Sequence, residues 1–431
     1  MAKPGKTGNI GEHSELFALA RIILDGQLVL GVPNEDVPQT SVPIMDVFGV
    51  SRTPPIGTKF FGPKKKKVAT EEEVKSRDVL CSYGEDVMVI SEPEGIKRRL
   101  CSRSDLNDAA QGLQQQLIYW SSSKFKSEKR AQKKANEAAG IRFSSKALQS
   151  EHSQNILELL GLEALRAKSG AKSDLYLTLE SSGRRIPQGF SVKSQMGSKS
   201  CLVNHSGATI FRYEIQNTTL SGACALEERF IVNEAAAADK PESAISKKRG
   251  PATVIPALLC EPGVVIKYDS VVNSTFKESL EMIDARFPQA LAMVILQRFK
   301  TGESKIAKLA TDSALKSFLV TEGMSPRVAE SYLEEKLKDL LRKFALGMQA
   351  DTPWKDQAEV QGGWVLVVDG GKVVGYRFDN PDAFRSYLLE FTMIDTPSTK
   401  RVKKNTAKVG RVFEQDGKLY ITLSLIVKFT K

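Results

Sequence analysis

Residues 171–197 read AKSDLYLTLESSGRRIPQGFSVKSQMG. The run SDLYLTLE at 173–180 has the period-2 pattern of a half-buried strand. SSGRRIPQG is read as a connection and FSVKSQMG, 190–197, as a second strand. Side chains along a strand alternate between faces, so Ser191, Lys193 and Gln195 share one face. If that strand pairs with the one beginning at Asp174, a carboxylate meets an ammonium at one edge of a sheet. Metal-assisted phosphodiester hydrolysis needs that pairing. The carboxylate holds Mg²⁺, the metal polarises the phosphate, and the lysine orients the nucleophile or neutralises developing charge. A solvated strand end is the plain alternative, because an Asp followed by a polar-x-Lys strand recurs by chance in mixed proteins.

The neighbouring segments build an α/β pattern around this pair. EHSQNILELLGLEAL, from 151, is a helix ending near Gly161, and TIFRYEI, 209–215, is a third strand. GEHSELFALARIILDGQLVL, 11–30, reads as a helix, a turn at Asp25-Gly26 and a strand. DVMVI, 86–90, is a strand and 104–120 a helix; helices also follow at 276–299 and 325–348. GGWVLVVDGGKVVGYRF is a hairpin, 382–391 a short helix, and VFEQDGKLYITLSLIVKF a terminal hairpin turning at Asp416-Gly417. The segment 233–251 is read as a surface loop. No internal repeat is found.

Composition narrows the function classes. With 431 residues, 41% hydrophobic and 26% charged, the chain is globular and long enough for two or three domains. No apolar run approaches the ~18 residues of a membrane span, and MAKPGKTGNI has no apolar signal region. The five cysteines lie far apart without CxxC pairs, which reads as reduced thiols. Three histidines make a histidine-built metal centre a poor expectation. The 62 Lys and Arg against 51 Asp and Glu give a net charge of +11. That excess suits a polyanion, since cations that neutralise phosphates release condensed counterions. The densest basic run, KFKSEKRAQKK at 124–134, is either a solvated helix face or a DNA-backbone contact. Lys64 to Lys67 are read as a solvated loop run, His205 with Asn204, Ser206 and Thr209 as a turn, and Trp354 and Trp364 as core or interface.

Several segments together resemble the HpaII-type restriction endonucleases: GEHSELFALARIILDGQL, AKSGAKSDLYL, GFSVKSQMG, FALGM followed by Trp354, GGWVLVVDGGKVVGYRF and DTPSTKR. They stand in the family's order and span nearly the whole chain, with 40–150 and 217–260 matching poorly. The resemblance implies a PD-(D/E)xK nuclease core with two departures: Ser173 stands where proline precedes the aspartate, and Ser191 holds the usual acidic position. It carries Asp174 over as the metal-binding aspartate, with Ser191, Lys193 and Gln195 as the catalytic strand motif. Ser191 leaves a second metal carboxylate to be found, because one acid holds a hard divalent cation loosely. Superfamily members with a serine here supply the acid from a nearby helix. Glu158, on the helix before the first catalytic strand, is preferred; Glu214 on the third strand and Glu12 or Glu15 in the first helix are the other candidates. The loop with Ser398, Thr399, Lys400, Arg401, Lys403 and Lys404 is the expected DNA contact, where Arg can pair with guanine and hydroxyls can bind phosphate.

These readings combine into an α/β protein: a mixed β-sheet flanked by helices, with a helical middle and a β-rich C-terminal part. Its expected regions are 1–150, an N-terminal part with basic insertions; 151–300, the catalytic core; and 301–431, helical and β-rich with DNA contact. The expected function is that of a cytoplasmic type II restriction endonuclease. It uses Mg²⁺ to hydrolyse double-stranded DNA site-specifically, with a CCGG-containing site as the first guess by resemblance. A homodimer and a cognate DNA methyltransferase in the same system are the expected partners. The alternative is a non-catalytic, sequence-specific DNA-binding protein on a nuclease fold that has lost its second carboxylate. A third option is a scaffold for an acidic protein.

Overall fold

Asn9 starts the first helix, α1 (Ile10–Asp25), with a reciprocal cap. Its Oδ1 accepts the Glu12 N–H at 3.1 Å while Glu12 Oε2 accepts the Asn9 N–H at 2.9 Å. Gly26 ends the helix in the left-handed region, φ +64°, and strand β2 (Gln27–Leu30) follows at once. Leu16, Phe17, Ala18, Leu19 and Ala20 are all fully buried, so α1 is a core helix, covered nearly all round.

The computed structural model describes residues 7–30, 44–55, 77–92, 95–138, 148–165, 173–181, 183–196, 200–204, 206–219, 255–256, 258–259, 261–354, 362–367, 369–377, 381–396 and 412–430. The chain forms two units: Met1–Ser200 with Ala358–Phe384, and Cys201–Gln357 with Arg385–Lys431. These are not the boundaries at 150 and 300 drawn from the sequence. The difference arises because residues 363–377 leave the second unit and complete the sheet of the first.

In the first unit β1 (Thr7–Gly8) pairs with β8 (Leu148–Gln149). The remaining strands are β2 (Gln27–Leu30), β3 (Ile44–Asp46), β4 (Gly49–Ser51), β5 (Arg77–Tyr83), β6 (Asp86–Glu92), β7 (Ile96–Ser102), β9 (Leu175–Ser181), β10 (Arg184–Ser194), β14 (Gly363–Val367) and β15 (Val373–Arg377). They form one ten-stranded sheet in the order β3-β2-β15-β14-β10-β9-β4-β5-β6-β7. The sheet is mixed: β10 runs parallel to β14 and β15 to β2, while β9 and β10 are an antiparallel hairpin. Helix α1, together with α2 (Arg103–Ser121) and α4 (Glu151–Leu160), shares one core with Phe190, Val192, Val365 and Val367. Trp364 belongs to the opposite face, where Phe384 packs on it edge-on at 5.5 Å. A 16-residue helix, α3 (Ser123–Ala138), follows α2.

The second unit holds the expected helical middle. Its helices are α5 (Ser274–Glu281), α6 (Phe287–Thr301), α7 (Ile306–Ala310), α8 (Ser313–Thr321) and α9 (Pro326–Leu346). The helix read over 276–299 is therefore two, because Pro288 has no N–H to donate and is tolerated only in the first turn of α6. A four-stranded sheet pairs β13 (Val265–Val271), β12 (Ile210–Gln216), β18 (Lys418–Ser424) and β17 (Val412–Gln415) in that order. A three-stranded sheet orders β11 (Cys201–Val203), β19 (Val427–Phe429) and β16 (Thr392–Ile394). Helix α10 (Pro381–Glu390) runs from the end of the first unit into the second.

The stretch read as a connection before FSVKSQMG is mostly strand, since β10 already begins at Arg184 and Gly183 makes the turn at φ +73°. Within this hairpin Gly189 pairs with Tyr176. A Cβ on Gly189 would lie 2.3 Å from Ser173 Oγ, the residue before Asp174. Gly189→Ala should therefore lower stability by about 1–3 kcal/mol through overpacking, read as an earlier midpoint in urea unfolding. An unchanged midpoint would show that Ser173 has room to yield.

Candidate active site

The β9–β10 hairpin brings the two ends of the motif together. Asp174 donates its N–H to Phe190 O at 2.8 Å, in line with the antiparallel ladder. Its carboxylate turns back onto β10, where Oδ2 accepts the Val192 N–H at 2.7 Å and the Ser191 hydroxyl at 3.0 Å. Two donors on one oxygen fix the carboxylate's direction and leave Oδ1 outside either bond. Ser191, buried at 5% exposure, thus orients the aspartate. Lys193 follows on the same face of β10. Its Nζ lies 5.8 Å from the centroid of Trp364, whose Cα is paired with that of Ser191 across the parallel ladder. Gln195 is half-buried, and its N–H donates to Val367 O at 2.8 Å.

A further carboxyl group, Glu15 of α1, lies in the field of Asp174. Ser14 Oγ and Ser194 Oγ, both buried, lie 2.9 Å apart and bolt the helix to β10. Each stands next in sequence to a site residue, Glu15 on the helix and Lys193 on the strand. Glu15 Oε2 is shielded from solvent and has no hydrogen-bond partner among the described residues. Burial and then the Asp174 charge push the Glu15 carboxyl up to about 8, against the opposing pull of Arg52 and Lys193. Asp174, Glu15, Lys193 and Arg52 therefore form one electrostatic cluster.

Arg52 was not foreseen. Its Nη1 donates to Ala164 O at 2.6 Å and its Nη2 to Leu165 O at 2.5 Å. Burial lowers its pKa, and the Glu15 and Asp174 charges oppose that fall. Each terminal nitrogen spends one of its two N–H bonds on a carbonyl, and the Arg52 charge acts on Glu15 and Asp174 through space. Nothing in SRTPP marks this arginine, since its partners lie more than a hundred positions along the chain.

The preferred second acid, Glu158, is not in this cluster. Helix α4 buries Ser153, Ile156, Leu157 and Leu160, which turns Glu158 to the exposed face, where it accepts from Gln154 at 2.8 Å. Glu214 belongs to β12 of the second unit, 3.4 Å from Lys418 Nζ. The Glu12 carboxylate closes the cap of α1. Of the four acids named from the sequence, Glu15 is the one that shares Asp174's field. Trp354 and Trp364 are both buried, as core residues. Ser398, Thr399, Lys400, Arg401, Lys403 and Lys404 lie outside the described residues, as do Lys64 to Lys67, His205 and the segment 233–251.

The model of a known family, HpaII restriction endonuclease, matches residues 120–429, well over half the chain. The chain belongs to the HpaII restriction endonuclease family. It is also similar to the type II restriction enzyme HpaII of Haemophilus parainfluenzae, 25% identical over 426 residues that cover 98% of each chain. No solved structure matches it. Family membership makes this a restriction enzyme, with DNA as its substrate class. Among the described residues no helix is long and apolar enough to cross a membrane.

The state of Glu15 leads to a stability test. Between pH 4.5 and about 8 the unfolded chain has released this proton while the metal-free fold retains it. Stability then falls as pH rises through that window, because the unfolded state binds fewer protons. Glu15→Gln removes the cost, so it should gain on wild type by up to about 4 kcal/mol at pH 8 and far less at pH 5. Urea unfolding in EDTA at the two pH values measures this. An equal difference at both would mean that Glu15 is already ionised at neutral pH.

Proposed function

We propose that this family member is an endonuclease of the PD-(D/E)xK kind that hydrolyses duplex DNA site-specifically with Mg²⁺. The supporting observation is the buried Oε2 of Glu15, without a hydrogen-bond partner among the described residues, in the field of Asp174, Lys193 and Arg52. A buried carboxylate oxygen without a donor is costly, and a divalent cation would satisfy it together with Asp174. Among the described residues no three His, Cys, Asp or Glu cluster as a metal site. Two carboxylates suit Mg²⁺ nevertheless, because that ion commonly takes one or two of them and completes its shell with waters and phosphate oxygens. When bound, Mg²⁺ supplies Lewis-acid polarisation of the phosphate and an acidified water.

The protein's own groups do the rest. Ser191 and the Val192 amide hold Asp174 in one orientation. Lys193, beside the Trp364 ring, offers an ammonium to the negative charge that develops on the phosphoryl oxygens. Arg52 places a positive charge in the field of both carboxyl groups and opposes the rise in the Glu15 pKa. Gln195, next on the same face, touches the scissile phosphate or tunes the metal's surroundings. The rival reading, a DNA-binding protein without catalysis, depended on a missing second carboxylate, and Glu15 fills that role. Recognition is assigned to the loop of Ser398, Thr399, Lys400, Arg401, Lys403 and Lys404, with Arg401 as the guanine reader and CCGG as the core of the site. We further propose a homodimer acting in the cytoplasm beside a cognate DNA methyltransferase.

Plasmid cleavage in Mg²⁺ against EDTA tests the activity, and sequencing the ends of a digested phage genome gives the site. Lys193→Ala should slow cleavage by about 10²–10³-fold while specific binding survives. A rate within a few-fold of wild type would remove Lys193 from the chemistry. In Mg²⁺ titrations Glu15→Gln should raise the metal requirement and Glu158→Gln should not. The reverse result would restore Glu158 as the second acid.

A further inference from the structure

The nuclease reading leaves the basic run 124–134 without a task. It forms most of helix α3, SKFKSEKRAQKKANEA, which has six cations against two acids. One side of the helix meets the protein. Phe125, Lys129 and Asn136 are its half-buried residues and recur on one helical face. Phe125 packs against the core of the first unit and meets the Tyr119 ring edge-on at 5.3 Å. Lys129 lays its chain over Phe125, Nζ 5.4 Å from the ring centroid. Glu128 is taken by the Tyr119 hydroxyl at 2.5 Å.

The flank next to that face carries charge. Lys124, Lys126, Arg130 and Lys133 are all exposed. Lys126, Arg130 and Lys133 stand at i, i+4 and i+7, so they form one stripe within an arc of about 60° at 100° per residue. At a rise of 1.5 Å per residue the stripe runs about 10 Å, enough to meet successive phosphates of one strand. The helix is anchored at one face by an aromatic ring, and this row of exposed cations lies about 90° round the helix from that face at 100° per residue.

We propose that α3 is a backbone-tracking element for duplex DNA, with Lys126, Arg130 and Lys133 each neutralising a phosphate without reading bases. The partner is chosen by charge complementarity, a row of cations for a regular polyanion, and it deepens the DNA reading on which it rests. Phosphate contacts of this kind position a protein on the duplex and weaken all sequences alike when lost.

The test is duplex binding by the full chain in EDTA, where cleavage does not intervene, titrated over a range of salt. Wild type is compared with the triple variant Lys126→Ala, Arg130→Ala, Lys133→Ala. Alanine is the better helix former, so the helix itself should survive, which circular dichroism checks; a triple glutamine variant serves as a second neutralisation. The slope of log affinity against log salt should shrink by about 2–3, at roughly 0.9 per lost phosphate contact. The loss should be equal on sequences with and without the cleavage site. Binding by wild type with an unchanged slope in both variants overturns the proposal and assigns the stripe to another partner or to solvent. A loss confined to one sequence overturns it as well, since that is base reading. Wild type that binds no duplex at all sinks the DNA reading beneath it.

Discussion

The hold of Asp174 on strand β10 is the contact on which the site depends. Its N–H reaches Phe190 O at 2.8 Å and its carboxylate receives the Val192 N–H at 2.7 Å. The first bond extends the hairpin ladder by one residue. The second turns the carboxylate toward the strand that carries Lys193. A backbone donor and the Ser191 hydroxyl set this geometry together, and the pairing of β9 and β10 brings both within reach. Gly189 belongs to the same constraint, because its missing Cβ leaves the room that Ser173 occupies.

From that clamp the sheet extends in both directions. β10 pairs on its other side with β14, a strand that arrives about 170 positions later and brings Trp364 beside Lys193. Parallel pairing requires a long crossover between the two strands, and here the chain builds most of a second unit between them. The expensive element of the site is Glu15. Burial and the Asp174 charge both favour its neutral form, which a fold selected for stability alone would remove. Such local conflicts gather where function requires them. The Ser14–Ser194 contact fixes α1 against β10, and the Arg52 charge opposes the rise in the Glu15 pKa.

Much of this could be read from residue order. The strand at 175–181, the helices at 151–160 and 103–121, and both late hairpins follow from periodicity and turn residues, which act over a few positions. Asp174 with Ser191 and Lys193 could be read because a hairpin places residues at short separation face to face. The second acid could not be chosen by the same means. Glu158 is close in sequence, yet the apolar stripe of α4 turns it to solvent. Glu15 lies about 160 positions from Asp174, and only the burial of α1 against β10 brings the two together.

The sequence alone determined the class of the protein, the local elements, the family resemblance and the Asp174–Lys193 pair. It also showed an excess of positive charge and concentrated it at 124–134. Tertiary structure alone decided which of four glutamates lies in the field of Asp174, that Arg52 shares that field, that Trp364 flanks Lys193, and which cations of α3 face outward. The physical reason is common to all four. Periodicity reports which face of an element is apolar, but not which distant element will cover that face, and electrostatic neighbours are chosen by the covering.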